Sequence, residues 1–370
     1  MVNVTSRPVV DVEGLLSQVA EELQLPASLH AEARRRYDAL ANYLASGPLA
    51  RLAPEVYAQG SYRIGTTVRP VRDDEFDLDF VVQLIVDPET KPLDLFDTVA
   101  RVVEASPRYR PIAERRARCI RLRYADEFHM DIVPAMPDRQ KGGTTIQIPD
   151  RDLGRWQSTN PKGYASWFAD QGSMRTLSKA ASVEPLPAPA SASAKNALQI
   201  ATQLVKRHHQ LHVEEEHLRT PSIVLTTITA ESSFGESVAD RFEQAIGGLE
   251  RYTGAPAAIR NPANRDEIIS EKWADAEVFA SYRKSVELLR SQWTTFIEAS
   301  GRGYIDAAAV LKEMFGESVV TRAAKSLAER TQRARMTGNL ATAPAGVLVS
   351  TASATQSLRA NRPHTFFGDS

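Results

Sequence analysis

Apolar spacing divides the chain into an opening pair of helices, a strand-rich middle and a long helical second half. Over residues 11–25, Val12, Leu15, Leu16, Val19 and Leu23 recur at helical spacing, with Asp11 placed to cap the run and Pro26 to stop it. A second helix begins near Ser28, turns Leu29, Ala33, Tyr37, Leu40 and Leu44 inward, and closes at Gly47-Pro48. The period then becomes two. Phe76, Leu78 and Phe80 alternate with Asp77 and Asp79 in a strand reaching about Val86, so the apolar trio enters a core and both aspartates share the other face. Pro88 and Pro92 mark a loop, and residues 93–105 are helical. Ile120, Leu122 and Tyr124 alternate with arginines over 118–124, a strand with one wet face. Residues 128–134 follow as its hairpin partner, with Phe128, Met130 and Ile132 on one side and Asp131 on the other.

Residues 182–194 are rich in proline, alanine and serine and read as an extended surface loop. A long helix over 195–212 follows, with Leu198, Ala201, Leu204, Val205 and Leu211 inward, and Thr220-Pro221-Ser222 opens the next. Residues 271–299 form a longer helix with Trp273, Phe279, Val286, Leu289, Trp293 and Phe296 on one side, and two shorter helices occupy about 305–333. The tail from Gly338 has small residues and little periodicity. The pattern predicts an α/β (α+β) chain in four parts: N-terminal helices packing across the lobes (1–50), a core with a mixed sheet (51–194), an all-helical lobe (195–335) and a tail (336–370). A ligand cleft is expected between the lobes.

At 370 residues the chain has length for two domains with ample core. Its hydrophobic and charged fractions, 42% and 25%, are ordinary for a globular protein in water. A net charge of −1 argues against a general nucleic-acid binder. The single cysteine, Cys119, excludes disulfides and a cysteine zinc site within the chain, and fits a reducing cytoplasm. No apolar run approaches the ~20 residues that span a bilayer, and the N-terminus lacks an export pattern. A cytoplasmic monomer without a membrane partner is expected.

Asp77 and Asp79 side by side repel unless a cation lies between them. Hard oxygen ligands select Mg²⁺ or Mn²⁺, and Mg²⁺ brings substrate phosphates with it. The glycine-serine turn within Gln59-Gly-Ser-Tyr-Arg-Ile-Gly-Thr66 precedes this strand and suits phosphate oxygens. Each half is common alone. Together and in this order they resemble the nucleotidyltransferase superfamily that includes poly(A) polymerases and cGAS. That superfamily requires a third carboxylate on a neighbouring strand, and Asp131 supplies it.

A longer ordered series resembles the bacterial cGAS/DncV-like nucleotidyltransferases, or CD-NTases, of CBASS anti-phage signalling. It runs through Glu75-Phe-Asp-Leu-Asp79, Met130-Asp-Ile-Val-Pro134, Asn160-Pro-Lys-Gly-Tyr164, Gln203-Leu-Val-Lys-Arg-His208, Pro221-Ser222 and Glu271-Lys-Trp273. The zinc insertion of animal cGAS is absent, as is normal for the bacterial branch. The resemblance implies a polymerase-beta-like catalytic lobe and synthesis of a cyclic di- or trinucleotide from NTPs, ATP among them, with release of pyrophosphate. It implies two Mg²⁺ ions, or Mn²⁺, held by Asp77, Asp79 and Asp131. Lys206 and Ser222 match positions near the triphosphate tail, with Gln59, Gly60 and Ser61 on its other side and Lys195 as a further candidate. Asn160 meets a base edge or serves as a turn residue before Pro161; both readings stand. A downstream effector is expected to respond to the product rather than bind the enzyme. The Phe366-Phe367-Gly368 tail either docks on the body or serves as a handle for a regulatory or ubiquitin-transfer-like partner.

Several features carry a second reading. Seven arginines fall between Arg108 and Arg123, as a solvated face or an anion-binding surface. His208 and His212 stand one helical turn apart near Glu214, Glu215 and Glu216, but without an H-E-x-x-H pattern. The rival activities are a linear, RNA-extending or 2′–5′ oligonucleotide nucleotidyltransferase, and a non-catalytic nucleotide binder. The first is disfavoured by the neutral charge and the lack of a basic, aromatic track.

Overall fold

The computed structural model describes residues 10–71, 76–124, 128–172 and 182–336, with short strands at 340–342, 348–350 and 359–360. Glu75 and the Phe366-Phe367-Gly368 tail lie outside the described residues. Helix α1 (Val12–Glu22) is capped by Asp11, whose carboxylate accepts from Gly14 N at 2.9 Å. Helix α2 spans Ala27–Ser46 and ends where Gly47 N donates to Tyr43 O at 3.1 Å.

Strand β1 (Glu55–Ala58) runs into the one-turn helix α3 (Gly60–Arg63), and β2 (Phe76–Gln83) and helix α4 (Pro92–Ala105) follow. Next come β3 (Ala113–Arg115), β4 (Ile120–Tyr124), β5 (Phe128–Pro137), β6 (Ile146–Asp150), β7 (Arg155–Thr159) and helix α5 (Pro161–Gln171). The sheet order is β1-β2-β5-β4-β3, with β6 paired to the far end of β5 and β7 to β6. Among the strand pairs of the described residues only β2 and β5 run parallel, which makes the sheet mixed. Leu78, Phe80, Met130 and Ile132 pack from one face against Tyr37, Leu40 and Leu44 of α2 and Phe96, Val99 and Val103 of α4. Alternation sends Asp77, Asp79 and Asp131 to the opposite face.

The second half contains α6 (Ala197–His212), α7 (Ser222–Ser232), α8 (Val238–Glu250), a hairpin of β8 (Arg260–Asn261) and β9 (Asn264–Ile268), α9 (Ala276–Arg302), α10 (Tyr304–Phe315) and α11 (Glu317–Met336). Strands β10 (Leu340–Thr342), β11 (Leu348–Ser350) and β12 (Arg359–Ala360) make a small separate sheet. Leu204, Val224, Phe242, Trp273, Trp293 and Phe315 form the helical core, and Leu16 and Val19 of α1 belong to it. Thus α1 packs on the helical side and α2 on the sheet side. Asn196 opens α6 with a reciprocal cap: its Oδ1 accepts from Gln199 N at 2.8 Å, while Gln199 Oε1 accepts from Asn196 N at 3.1 Å.

Strands β1, β3 and β6 to β12 and helices α5 and α8 were not in the sequence expectation, and the helix over 271–299 begins later than expected. Residues 271–274 form a 3₁₀ turn, and Asp275 caps α9 by accepting from Glu277 N at 2.8 Å. Of the α6 histidines, His208 and His209 are buried in the core, while His212 is half-buried and pairs Nε2 with Glu313 O at 3.0 Å. His208 Nε2 pairs with Gln292 Oε1 at 2.9 Å, His209 Nδ1 with Ser285 Oγ at 2.9 Å, and burial pushes both imidazoles down to about 3.

Candidate active site

The parallel register of β2 and β5 sets Asp79 beside Asp131 and Asp77 beside His129. Sequence alternation placed these carboxylates on one face; the register gathers them across two strands. The glycine-serine turn is fastened to the same point, because Gln59 N donates to Asp79 O at 2.8 Å. Gly60 has φ +62°, and a Cβ there would stand 2.9 Å from Asp79 Oδ2. Only glycine fits that backbone against that carboxylate. Ser61 Oγ accepts from Thr67 Oγ1 at 3.3 Å and lines the cleft that opens over Asp77.

Two basic side chains hold the carboxylates. Arg121, opposite Asp131 in the β4–β5 register, donates Nε to Asp131 Oδ1 at 2.8 Å and Nη2 to Asp131 Oδ2 at 2.7 Å. The same Nη2 stands 3.9 Å from Asp77 Oδ1, which is also in contact with His129 Nε2. Burial acts to raise the Asp77 pKa, but the His129 hydrogen bond and the charges of His129, Arg121 and Lys206 together hold it below the ordinary value. Asp79 goes the other way, to about 8, through burial and the negative charges of Asp77 and Asp131. Cys119 lies beside Asp131, and burial and that hydrogen-bonded carboxylate push its thiol up.

This donor set suits a hard divalent cation. Oxygen ligands converge from adjacent strands, and burial together with the negative charges of Asp77 and Asp131 favours a proton on Asp79. Among the described residues no three His, Cys, Asp or Glu side chains are grouped as a finished ion cage. The geometry gives the reason: Asp131 faces the Arg121 fork and Asp77 faces His129.

The facing wall comes from α6 and α7. Lys206 is 4% exposed and donates Nζ to Thr66 O at 3.0 Å. Its pKa falls to about 8 because of burial and the nearby Lys195 charge, against the opposing pull of Asp77 and Asp79. Ser222, at the start of α7, and Gln210, one turn beyond Lys206, line the same cleft of about 860 Å³. Gln210 Oε1 is buried without a hydrogen-bond partner among the described residues.

Asp77, Ser61, Lys206 and Ser222 therefore share one cleft, with Gln59, Gly60, Asp79 and Asp131 directly behind it. Asn160 and Lys195 sit elsewhere. Asn160 caps α5, its Oδ1 accepting from Gly163 N at 2.9 Å and its Nδ2 donating to Ala263 O at 3.1 Å. Its turn reading matches these bonds. Lys195 donates to Gln24 Oε1 at 2.6 Å and faces a separate cavity of about 970 Å³, while burial lowers its pKa to about 8. The arginine run is divided: Arg116, Arg121 and Arg123 line the cleft, whereas Arg115 is tied to Asp97 and Glu104. Arg121, His129 and Gln210 were not singled out in the sequence. The strand alternation that placed Asp131 also places Arg121 and His129, and spacing of four along α6 links Lys206 to Gln210.

Three comparisons bear on this arrangement. Residues 11–171 match the Second Messenger Oligonucleotide or Dinucleotide Synthetase domain. The chain is 30% identical to a c-di-GMP synthase of Roseivirga ehrenbergii over 99% of its own length and 100% of the relative's. It is 27% identical to the cyclic dinucleotide synthase CdnG of Bradyrhizobium diazoefficiens, covering 87% and 84% of the two chains. The solved structure of that CdnG in complex with GTP superposes with a TM-score of 0.67 at 25% identity, over 85% of this chain and 98% of the other.

Proposed function

The chain belongs to the bacterial cGAS/DncV-like nucleotidyltransferases, the CD-NTases, and from that premise we propose that it makes a cyclic dinucleotide with GTP among its substrates. It is a nucleotidyltransferase and a cyclic oligonucleotide synthase. Guanine is supported by the relative named for c-di-GMP and by the GTP complex of the relative from Bradyrhizobium. ATP is retained as a second substrate. A cytoplasmic monomer whose product acts on a separate effector in anti-phage defence is the biological setting we propose. No helix among the described residues is long and apolar enough to cross a membrane.

In the reaction a ribose hydroxyl bonds to the α-phosphorus of an NTP and the bond to pyrophosphate breaks. Asp77, Asp79 and Asp131 would hold the divalent cations that accompany the triphosphate. Two divalent ions, Mg²⁺ or Mn²⁺, would neutralise charge on the attacking and leaving oxygens. Lys206 meets the triphosphate tail from the helical side, with Ser222 beside it, and Ser61 faces it from the turn. A buried ammonium that donates to a backbone carbonyl is an anion site in waiting. Positioning and charge neutralisation supply most of the catalysis in such transfers.

The observation that carries this reading is the single cleft in which Asp77 faces Ser61, Lys206 and Ser222. Purified protein incubated with labelled GTP and ATP, Mg²⁺ or Mn²⁺, and then phosphatase should yield a compact resistant product. Mass spectrometry should give a cyclic dinucleotide containing guanine. A primer-dependent ladder, or a product without guanine, would overturn the assignment.

A further inference from the structure

The Arg121 guanidinium stands where a cation is wanted. It engages both oxygens of Asp131, at 2.8 and 2.7 Å, and its Nη2 extends to within 3.9 Å of Asp77. It therefore reaches carboxylates contributed by two different strands, on the face that also carries Asp79. Its side chain is 21% exposed and that of Asp131 is 11% exposed, so water screens the pair only in part. Arg116 and Arg123, also on the cleft, are paired instead with Glu114. Of these three arginines, it is Arg121 that pairs with carboxylates of the triad.

We propose that Arg121 is a built-in counter-cation: it takes the place of a divalent ion at Asp131 and Asp77 in the nucleotide-free protein, and so couples ion binding to arrival of the triphosphate. This rests on the reading of Asp77, Asp79 and Asp131 as ion ligands. A carboxylate offers about four lone-pair sites, and a forked arginine occupies two. An incoming ion either shares Asp131 with the guanidinium or displaces it. In the first case two positive groups stand side by side; in the second a charge-assisted pair is broken. Both oppose the ion. A bound triphosphate brings negative charge into the same cleft and tips the balance, so nucleotide and ion enter as a unit. Arg121 is thus a positioning residue that acts through Asp131.

The test is Mn²⁺ binding by full-length protein, followed by electron paramagnetic resonance, with and without a GTP analogue carrying a methylene bridge between its α- and β-phosphates. A protein-free control subtracts the ion that the analogue holds by itself. In the wild type the analogue should tighten Mn²⁺ binding about 10- to 100-fold, a usual range for coupled sites. Arg121→Gln should tighten nucleotide-free binding about tenfold and shrink the analogue's effect. Arg121→Lys, with one ammonium in place of a fork, should fall between, and decides the matter by itself if the glutamine variant does not fold. Unchanged or weaker nucleotide-free affinity in both variants, beside normal binding by the wild type with analogue, means Arg121 is only a structural partner of Asp131. No Mn²⁺ binding by the wild type even with the analogue removes the ion reading, and this proposal with it.

Discussion

Gly60 and Asp79 are fitted to one another: a Cβ on residue 60 would stand 2.9 Å from Asp79 Oδ2, on a backbone held at φ +62°. The turn and the strand thus form one unit, fastened again by Gln59 N on Asp79 O. Gly60→Ala should cost ~1–2 kcal/mol through the left-handed backbone alone. The larger effect should be on chemistry, since the new methyl group displaces the carboxylate. Pyrophosphate release is expected to fall more than about 100-fold, a typical consequence of misplacing a positioned group by about an ångström. A thermal melt measures the first effect and a pyrophosphate assay the second; near-normal turnover would show that Asp79 need not be held there.

Asp79 carries a stability cost that the ion-free protein should reveal. Its pKa rises from 3.8 to about 8 on folding, so the folded chain holds a proton between those values that the unfolded chain has lost. Stability should fall as pH climbs through that window. Asp79→Asn removes the penalty. In EDTA the variant should melt above the wild type at pH 8, and the two should converge below about pH 4. Pyrophosphate release should be abolished. Asp131→Asn differs, because it takes the ionised partner from Arg121, and should lower the melting temperature. A parallel fall in both variants would contradict the account of crowded charge at Asp79.

Asn160 tests the boundary between folding and recognition. Its side chain caps α5, accepts from Thr144 Oγ1 at 2.9 Å and reaches Ala263 O at 3.1 Å, joining the sheet's outer hairpin to the β8–β9 segment. Asn160→Ala should destabilise by ~1–2 kcal/mol, the usual loss of a cap. With GTP and ATP offered together, the ratio of incorporated bases should not change. A shifted ratio would return Asn160 to the nucleotide.

The acidic strand was legible because Phe76, Leu78 and Phe80 fix its period and leave Asp77 and Asp79 no alternative face. Asp131 was legible for the same reason. The Arg121 clasp was not, because it depends on the β4–β5 register, which spacing along one strand does not encode. Strand β7, Arg155-Trp-Gln-Ser-Thr159, has a single large apolar residue and so gives no alternation to read. Helix α8 differs: Val238, Phe242, Ala245, Ile246 and Leu249 form an inward stripe behind the Ser237 cap, which the sequence does encode. Lys206 was placed by resemblance, while its burial arises from packing of the Gln59–Thr66 turn against α6, a contact between distant segments.

That burial makes Lys206 a residue whose contributions to stability and to binding oppose each other. Its pKa drops from 10.5 to about 8 on folding, so below about pH 8 the folded protein bears the cost of an enclosed ammonium. The unfolded chain keeps its proton up to 10.5, and stability should therefore rise with pH between the two values. Lys206→Met should stabilise the nucleotide-free protein at pH 7 by at most a few kcal/mol, at ~1.4 kcal/mol per pKa unit, and so raise its melting temperature. The same proton serves the ligand with the opposite sign. A triphosphate at Nζ raises the pKa again, so NTP affinity should be flat below about pH 8 and then weaken by up to tenfold per pH unit. Calorimetry with a non-hydrolysable NTP between pH 7 and 9.5 reads the slope. Lys206→Met should bind weakly and show no such slope from this position. A wild type whose affinity is level across that range would mean that the ammonium neutralises no phosphate, and that its burial answers to something other than the nucleotide.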